Sequence, residues 1–239
     1  MSIPLMCVVA LAWAASPRWQ LVVAANRDEF HARPSAPIAR WEDAPHVLGG
    51  RDLVSGGGWL GVSEQGRFAV VTNVAGFPRG DASPSRGALV ADYLRDGVLP
   101  ADVSLGRFGG FSLMTIGDQA EFRTNRPILV HQPLASGLHG ISNGPLDPPW
   151  PRTRTLTQAL GEWLARGRAP EELLDLLADE EPTTSGERPV FIRDSVYGTR
   201  CSTVLAIAAD GSGLMVERRF GPSGTPEGET RLAFRWPNA

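Results

Sequence analysis

The order of patterned segments predicts an α+β fold in which helices are layered on a mostly antiparallel sheet system. Three observations carry that prediction. Short apolar, β-branched runs crowd the first part of the chain and the last, helical stripes occupy the middle, and turn residues separate neighbouring strands. No internal repeat or interdomain linker interrupts the series, so residues 1–239 are expected to form one domain.

The first strand is read at residues 6–14. The apolar start ends in Ala12-Trp13-Ala14, which resembles a small-x-small cleavage site, yet the first basic residue is Arg18 and none precedes the run. The run is too short to span a bilayer. A strand of a cytoplasmic protein is therefore expected, not a signal peptide. A turn at Ala15-Ser16-Pro17-Arg18 leads to a second strand at 19–25. Residues 34–52, with Pro34, Pro37 and Pro45, read as irregular. The run Ser55-Gly56-Gly57-Gly58-Trp59 fits either a flexible loop or a close backbone approach. Strands follow at 59–63 and 67–72.

Residues 85–96 form the first convincing helix: Leu89, Val90, Tyr93 and Leu94 share a face, Ser85 can cap the start and Gly97 can end it. Strands are expected at 111–117, 120–123, 128–131 and 137–142. A second helix, 152–166, carries Leu156, Leu160, Trp163 and Leu164 on one stripe and stops at Gly167; a third opens on Pro170 with Leu173, Leu174 and Leu177. Residues 179–188 read as a surface loop. The chain closes with strands at 202–208, 213–219 and 230–236.

Composition narrows the function. Hydrophobic content of 42% and charged content of 21% are ordinary for a globular chain, and a net charge of −3 gives no sign of nucleic-acid or anionic-membrane binding. All 23 basic residues are arginine, which excludes a lysine nucleophile, a Schiff base and a P-loop lysine. Two cysteines, Cys7 and Cys201, are too few for a disulfide scaffold or a structural zinc site. His31, His46, His131 and His139 follow no metal-binding or triad spacing, and there is no dinucleotide fingerprint. No metal or cofactor is implied.

Polar residues gather where apolar strands end. Leu21-Val22-Val23-Ala24-Ala25 runs straight into Asn26-Arg27-Asp28-Glu29; Asn73 follows Val70-Val71-Thr72; Asn143 follows His139-Gly140-Ile141-Ser142; and Arg200 sits in Tyr197-Gly198-Thr199-Arg200-Cys201-Ser202-Thr203. Each alone has an ordinary reading as a turn former or a structural ion pair. In order, together with Met6-Cys7, Arg33-Pro34, Gly57-Gly58-Trp59-Leu60-Gly61, Ser85-Arg86-Gly87 and Pro149-Trp150, they resemble the NRDE-domain family, the transport and Golgi organisation group, over nearly the whole chain. That family in turn resembles the cysteine branch of the N-terminal-nucleophile hydrolases, which includes penicillin V acylases and bile-salt hydrolases. The resemblance implies a four-layer αββα sandwich, two antiparallel sheets between helical layers, with the nucleophile on the first strand.

By that resemblance Cys7 is the nucleophile and its own α-amino group the base, an arrangement that needs no histidine. Arg27 would favour the thiolate and Asp28 would orient the amine. Asn73 and Asn143 would hold the oxyanion, each such donor being worth roughly 3–4 kcal/mol. Arg200 would orient Cys7 or grip a substrate carboxylate; Glu29 matches the motif without a catalytic role. The expected partner is a small amide or other acyl substrate. The family also implies an alternative, a non-catalytic binding or trafficking protein for haem or acyl lipids, with His31, His131, His139 or a cysteine as the haem ligand. One departure bears on the mechanism: Ser2–Met6 intervenes between Met1 and Cys7, so a free amine on Cys7 requires a start at Met6 or removal of the extension, and without either the site is not a working hydrolase.

Overall fold

A computed structural model describes residues 7–78, 80, 83–182 and 188–237. In chain order the elements are β1 (Val8–Trp13), β2 (Trp19–Phe30), β3 (Ser35–Trp41), β4 (Ala44–Asp52), β5 (Leu60–Ser63), β6 (Arg67–Asn73), α1 (Arg86–Asp96), α2 (Asp102–Leu105), β7 (Phe111–Ile116), β8 (Ala120–Thr124), β9 (Val130–Pro133), β10 (Gly137–Ile141), α3 (Pro151–Arg166), α4 (Leu173–Leu177), β11 (Tyr197–Ala208), β12 (Ser212–Phe220) and β13 (Pro226–Arg235). They form two antiparallel sheets, one of six strands in the order β10-β1-β2-β11-β12-β13 and one of seven in the order β3 to β9. No helix among the described residues is long and apolar enough to cross a membrane.

Period-2 alternation sorts the side chains into layers. Val9 and Leu11 of β1, Val23 and Ala25 of β2 and Leu205 of β11 face the other sheet, where Leu60, Phe68, Val70 and Met114 meet them in the central core. The alternate residues Val8, Ala10, Val22, Ala24 and Val204 pack outward against Leu156, Leu160 and Trp163 of α3 and Leu173 and Leu177 of α4. On the far side Leu89, Val90 and Leu94 of α1 cover Ala69, Val71 and Leu113. The layers run α, β, β, α, as the resemblance implies.

The helix ends follow from local chemistry. Ser85 accepts a hydrogen bond from the Gly87 N–H, and Gly97 and Gly167 close α1 and α3 in the left-handed conformation. The glycine run before β5 is a close approach: a Cβ on Gly57 would lie 2.4 Å from the Gly87 carbonyl carbon, so the loop seats backbone-to-backbone on the first turn of α1.

Several expectations need correction. β2 does not stop at Ala25 but continues to Phe30, so Asn26-Arg27-Asp28-Glu29 is strand and not a strand exit. Residues 34–52 are not irregular: they contribute β3 and β4. β3 is an edge strand, and Pro37 lies at a register shift between Ala36 and Ala39, where no ladder N–H is required. α2 went unread because four residues carry too little periodicity. Met6 and residues 183–187 of the expected 179–188 loop lie outside the described residues.

Candidate active site

The continuation of β2 divides its polar quartet between two faces. Asn26 and Asp28 point to the helical layer, Arg27 and Glu29 to the space between the sheets. Asn26 Nδ2 donates to the carbonyls of Leu177 and Val190, and Ser202 Oγ donates to Asn26 Oδ1. Asp28, buried, accepts from Thr199 Oγ1 at 2.7 Å and from Arg152 Nη2 of α3 at 2.5 Å. Burial pushes the Asp28 carboxyl up, while Arg152 and Thr199 pull it back. Because residues 21–25 are apolar on both faces, a one-residue slip of β2 would be tolerated there; Asn26 and Asp28 are what oppose it.

On the other face Cys7, Arg27 and Cys201 form a row across three strands. Val8 pairs with Asn26, so Cys7 lies one step beyond, beside Arg27, and Arg27 pairs with Cys201. The row opens into a cleft of about 340 Å³ at the strand ends, also lined by Glu29, Asn73, Arg200 and Glu217. Cys7 is half-buried with Sγ 3.9 Å from the Asp28 carbonyl oxygen. Burial and the Asp28 charge push its thiol up to about 12 against the opposing pull of Arg27. Cys201 also reaches the cleft, and its thiol is held well above the ordinary value by burial and by Glu217. Both cysteines are free thiols.

The remaining predicted residues take distinct positions. Asn73 lines the cleft. Asn143 does not; its Nδ2 donates to the Asn73 carbonyl at 2.9 Å. Its neighbour Ser142 donates from Oγ to the Cys7 carbonyl at 2.6 Å, so the turn after β10 ties the Cys7 backbone to the end of β6. Arg200 lines the cleft but directs Nη1 to the carbonyls of Phe30, His31 and Arg33, clamping the chain as it leaves β2. Glu29 lies 3.6 Å from Arg27 and accepts from the Phe30 N–H.

Two residues escaped sequence reasoning. Arg152 occupies the apolar stripe of α3 four residues before Leu156, and following that stripe backward finds it. Glu217 stands two residues after Met215 on the inward face of β12, accepts from the Ile38 N–H at 3.1 Å and joins the two sheets beneath the cleft. Burial raises its carboxyl. No histidine lines the cleft. Both ring nitrogens of His131 and of His139 face acceptors elsewhere.

Two antiparallel sheets between helical layers make the four-layer sandwich of the N-terminal-nucleophile hydrolase fold. A solved structure with this fold, described as the Caenorhabditis elegans N-acylethanolamine-hydrolyzing acid amidase ortholog, superposes with a TM-score of 0.51 at 12% identity, covering 84% of this chain and 92% of its own. Within that architecture, the chain belongs to the Transport and Golgi organisation 2 family, whose family model matches residues 6–222. Similar proteins are the Transport and Golgi organization protein 2 homologs of Bos taurus (30% identical; 89% of this chain and 92% of that protein) and Homo sapiens (29%; 95% and 97%).

Proposed function

We propose that the protein is an N-terminal-cysteine hydrolase acting on a small amide or other acyl substrate in the cytoplasm, where a free thiol stays reduced. The observation that carries this reading is the placement of Cys7 beside Arg27 at the head of β1, in a cleft without a histidine. A thiol held near 12 is unionised at neutral pH, so its proton must leave as the sulfur attacks. The α-amine of Cys7 is the base that suits this role once Cys7 is the first residue, and the family match beginning at residue 6 supports such a start. The amine takes the thiol proton as the sulfur bonds to the carbonyl carbon. The oxyanion accepts from the Asn73 amide, held by Asn143, while Arg27 offsets developing negative charge; Asp28 and Arg200 fix the strand ends that frame Cys7. Collapse transfers the amine-borne proton to the departing nitrogen and leaves a thioester. Water then cleaves the thioester, returning the thiol and releasing the acid.

The alternative, haem or acyl-lipid binding without chemistry, comes from the family resemblance alone, since the relatives' names speak only of transport and Golgi organisation; His31, His131 and His139 do not line the cleft, which leaves Cys7 and Cys201 as its haem-ligand candidates there. The test uses protein beginning at Cys7 with a panel of acyl amides. Cys7→Ala should abolish turnover and thioester trapping while leaving the melting temperature within about 2 °C; full activity in that variant would overturn the reading.

A further inference from the structure

Arg27 is poorly served for an arginine so far from water. Its side chain is 10% exposed, Nη1 is buried with no hydrogen-bond partner, and Nη2 lies 3.6 Å from Glu29 and 3.9 Å from Asp52, too far for hydrogen bonds. Leaving a buried charged donor unmatched is costly unless something else supplies acceptors. Arg200, next to Cys201 of the same row on β11, shows the contrast: its Nη1 is matched to three carbonyls.

The charge around Arg27 is lopsided. Among the described residues, six arginines line the cleft against four carboxyls. Of those four, Asp28 is turned to Arg152 on the other face of β2, and Glu217 is occupied by the Ile38 N–H. Asp52 holds Arg33 and the N–H groups of Val54 and Ser55. Glu29 faces Arg27 at 3.6 Å, beyond hydrogen-bond distance, and accepts instead from the Phe30 N–H. Apolar surface completes the cleft on one side, where Phe30 is 41% and Val54 62% exposed.

We infer that the substrate carries a carboxylate beside its reacting bond, received by Arg27, with the apolar part of its acyl group lying along Phe30 and Val54. The spacing sets how near that carboxylate must be. Cys7 and Arg27 are on adjacent strands, about 5 Å apart, so an acid two or three bonds from the attacked carbonyl meets the guanidinium while the sulfur meets the carbon. An N-acyl α-amino acid has that layout. A planar carboxylate also matches the guanidinium fork in a way a hydroxyl or a neutral amide does not. The inference rests on the reading of this cleft as the substrate site, but it is a statement about binding and can be tested without turnover.

The experiment is calorimetric titration of the full chain carrying Cys7→Ala, which cannot form a thioester, with N-octanoylglycine and its neutral partner N-octanoylglycinamide. The acid should bind at least tenfold more tightly. In the Cys7→Ala, Arg27→Gln protein that preference should collapse to below twofold by loss of acid affinity, with the glycinamide unmoved. Should Arg27→Gln disturb the fold, seen by circular dichroism, Arg27→Lys serves instead: it keeps the charge, lacks the fork and should lose about half the preference on a logarithmic scale. Equal affinity for the two ligands, a preference undiminished by Arg27→Gln or by Arg27→Lys, or no binding of the acid at millimolar concentration would each overturn the inference. A preference found in protein that never turns over an amide would instead sink the hydrolase reading and leave the anion site standing.

Discussion

Arg27 and Asp28 are neighbours in sequence but work on opposite sides of a sheet, and the two deserve separate tests. Arg152 neutralises Asp28 where both are buried, so Arg152→Met leaves an uncompensated carboxylate and should cost about 3–5 kcal/mol in urea unfolding. Adding Asp28→Asn should return part of that loss, because the orphaned charge is gone. Cys7 gives a chemical test. With its thiol near 12, roughly one part in 10⁴–10⁵ is thiolate at pH 7.5. Iodoacetamide labelling of the chain bearing residues 1–6 should therefore be slow at Cys7 and rise about tenfold per pH unit up to that value. Protein beginning at Cys7 should label faster at neutral pH, as peptide mapping by mass spectrometry would show.

Among the elements, the turn after β10 links site geometry to pH. His139 Nδ1 lies 2.9 Å from Asp147 and Nε2 lies 2.8 Å from the Ala135 carbonyl. Only the imidazolium can donate to both. The Asp147 hydrogen bond raises the His139 pKa, with burial opposing it. A raised folded-state value means the stabilisation is fully present below about 6.5, the unfolded value, and is lost as pH rises through the folded one. The melting-temperature gap between the natural protein and His139→Gln should thus be wider at pH 5.5 than at pH 9. The β5 approach is tested by Gly57→Ala: the added methyl meets α1 backbone, which cannot rotate away, and should cost about 1–3 kcal/mol.

At the scale of the molecule, the central layer between the sheets is what makes their folding mutual. Phe68 is wholly buried there among side chains of both sheets. Phe68→Ala should cost about 3–5 kcal/mol, and unfolding followed by far- and near-ultraviolet circular dichroism should give coincident transitions as for one cooperative unit. Two separated transitions would show that the sheets unfold independently and would contradict the expected single domain.

Residue patterns alone gave the strands and helices and their α+β class, while the four-layer order came from the family resemblance. The apolar runs of β1, β2 and β11, the leucine stripes of α1 and α3, and the Ser85, Gly97 and Gly167 caps are local signals, readable because each residue reports its own burial or backbone conformation. The sequence also brought forward Cys7, Arg27, Asn73 and Arg200, all of which line the cleft. Tertiary structure alone decided how they are used. Prolines hide β3 from any local reading, since whether an N–H is needed depends on being an edge strand. Cys201 and Glu217 join the cleft only through pairing of β11 with β2 and of β12 with β11. The division of Asn26-Arg27-Asp28-Glu29 between cleft and helical layer required knowing that β2 continues through it. Which face a strand residue takes is fixed by its partners, and those partners lie more than a hundred residues away, on α3 and β11.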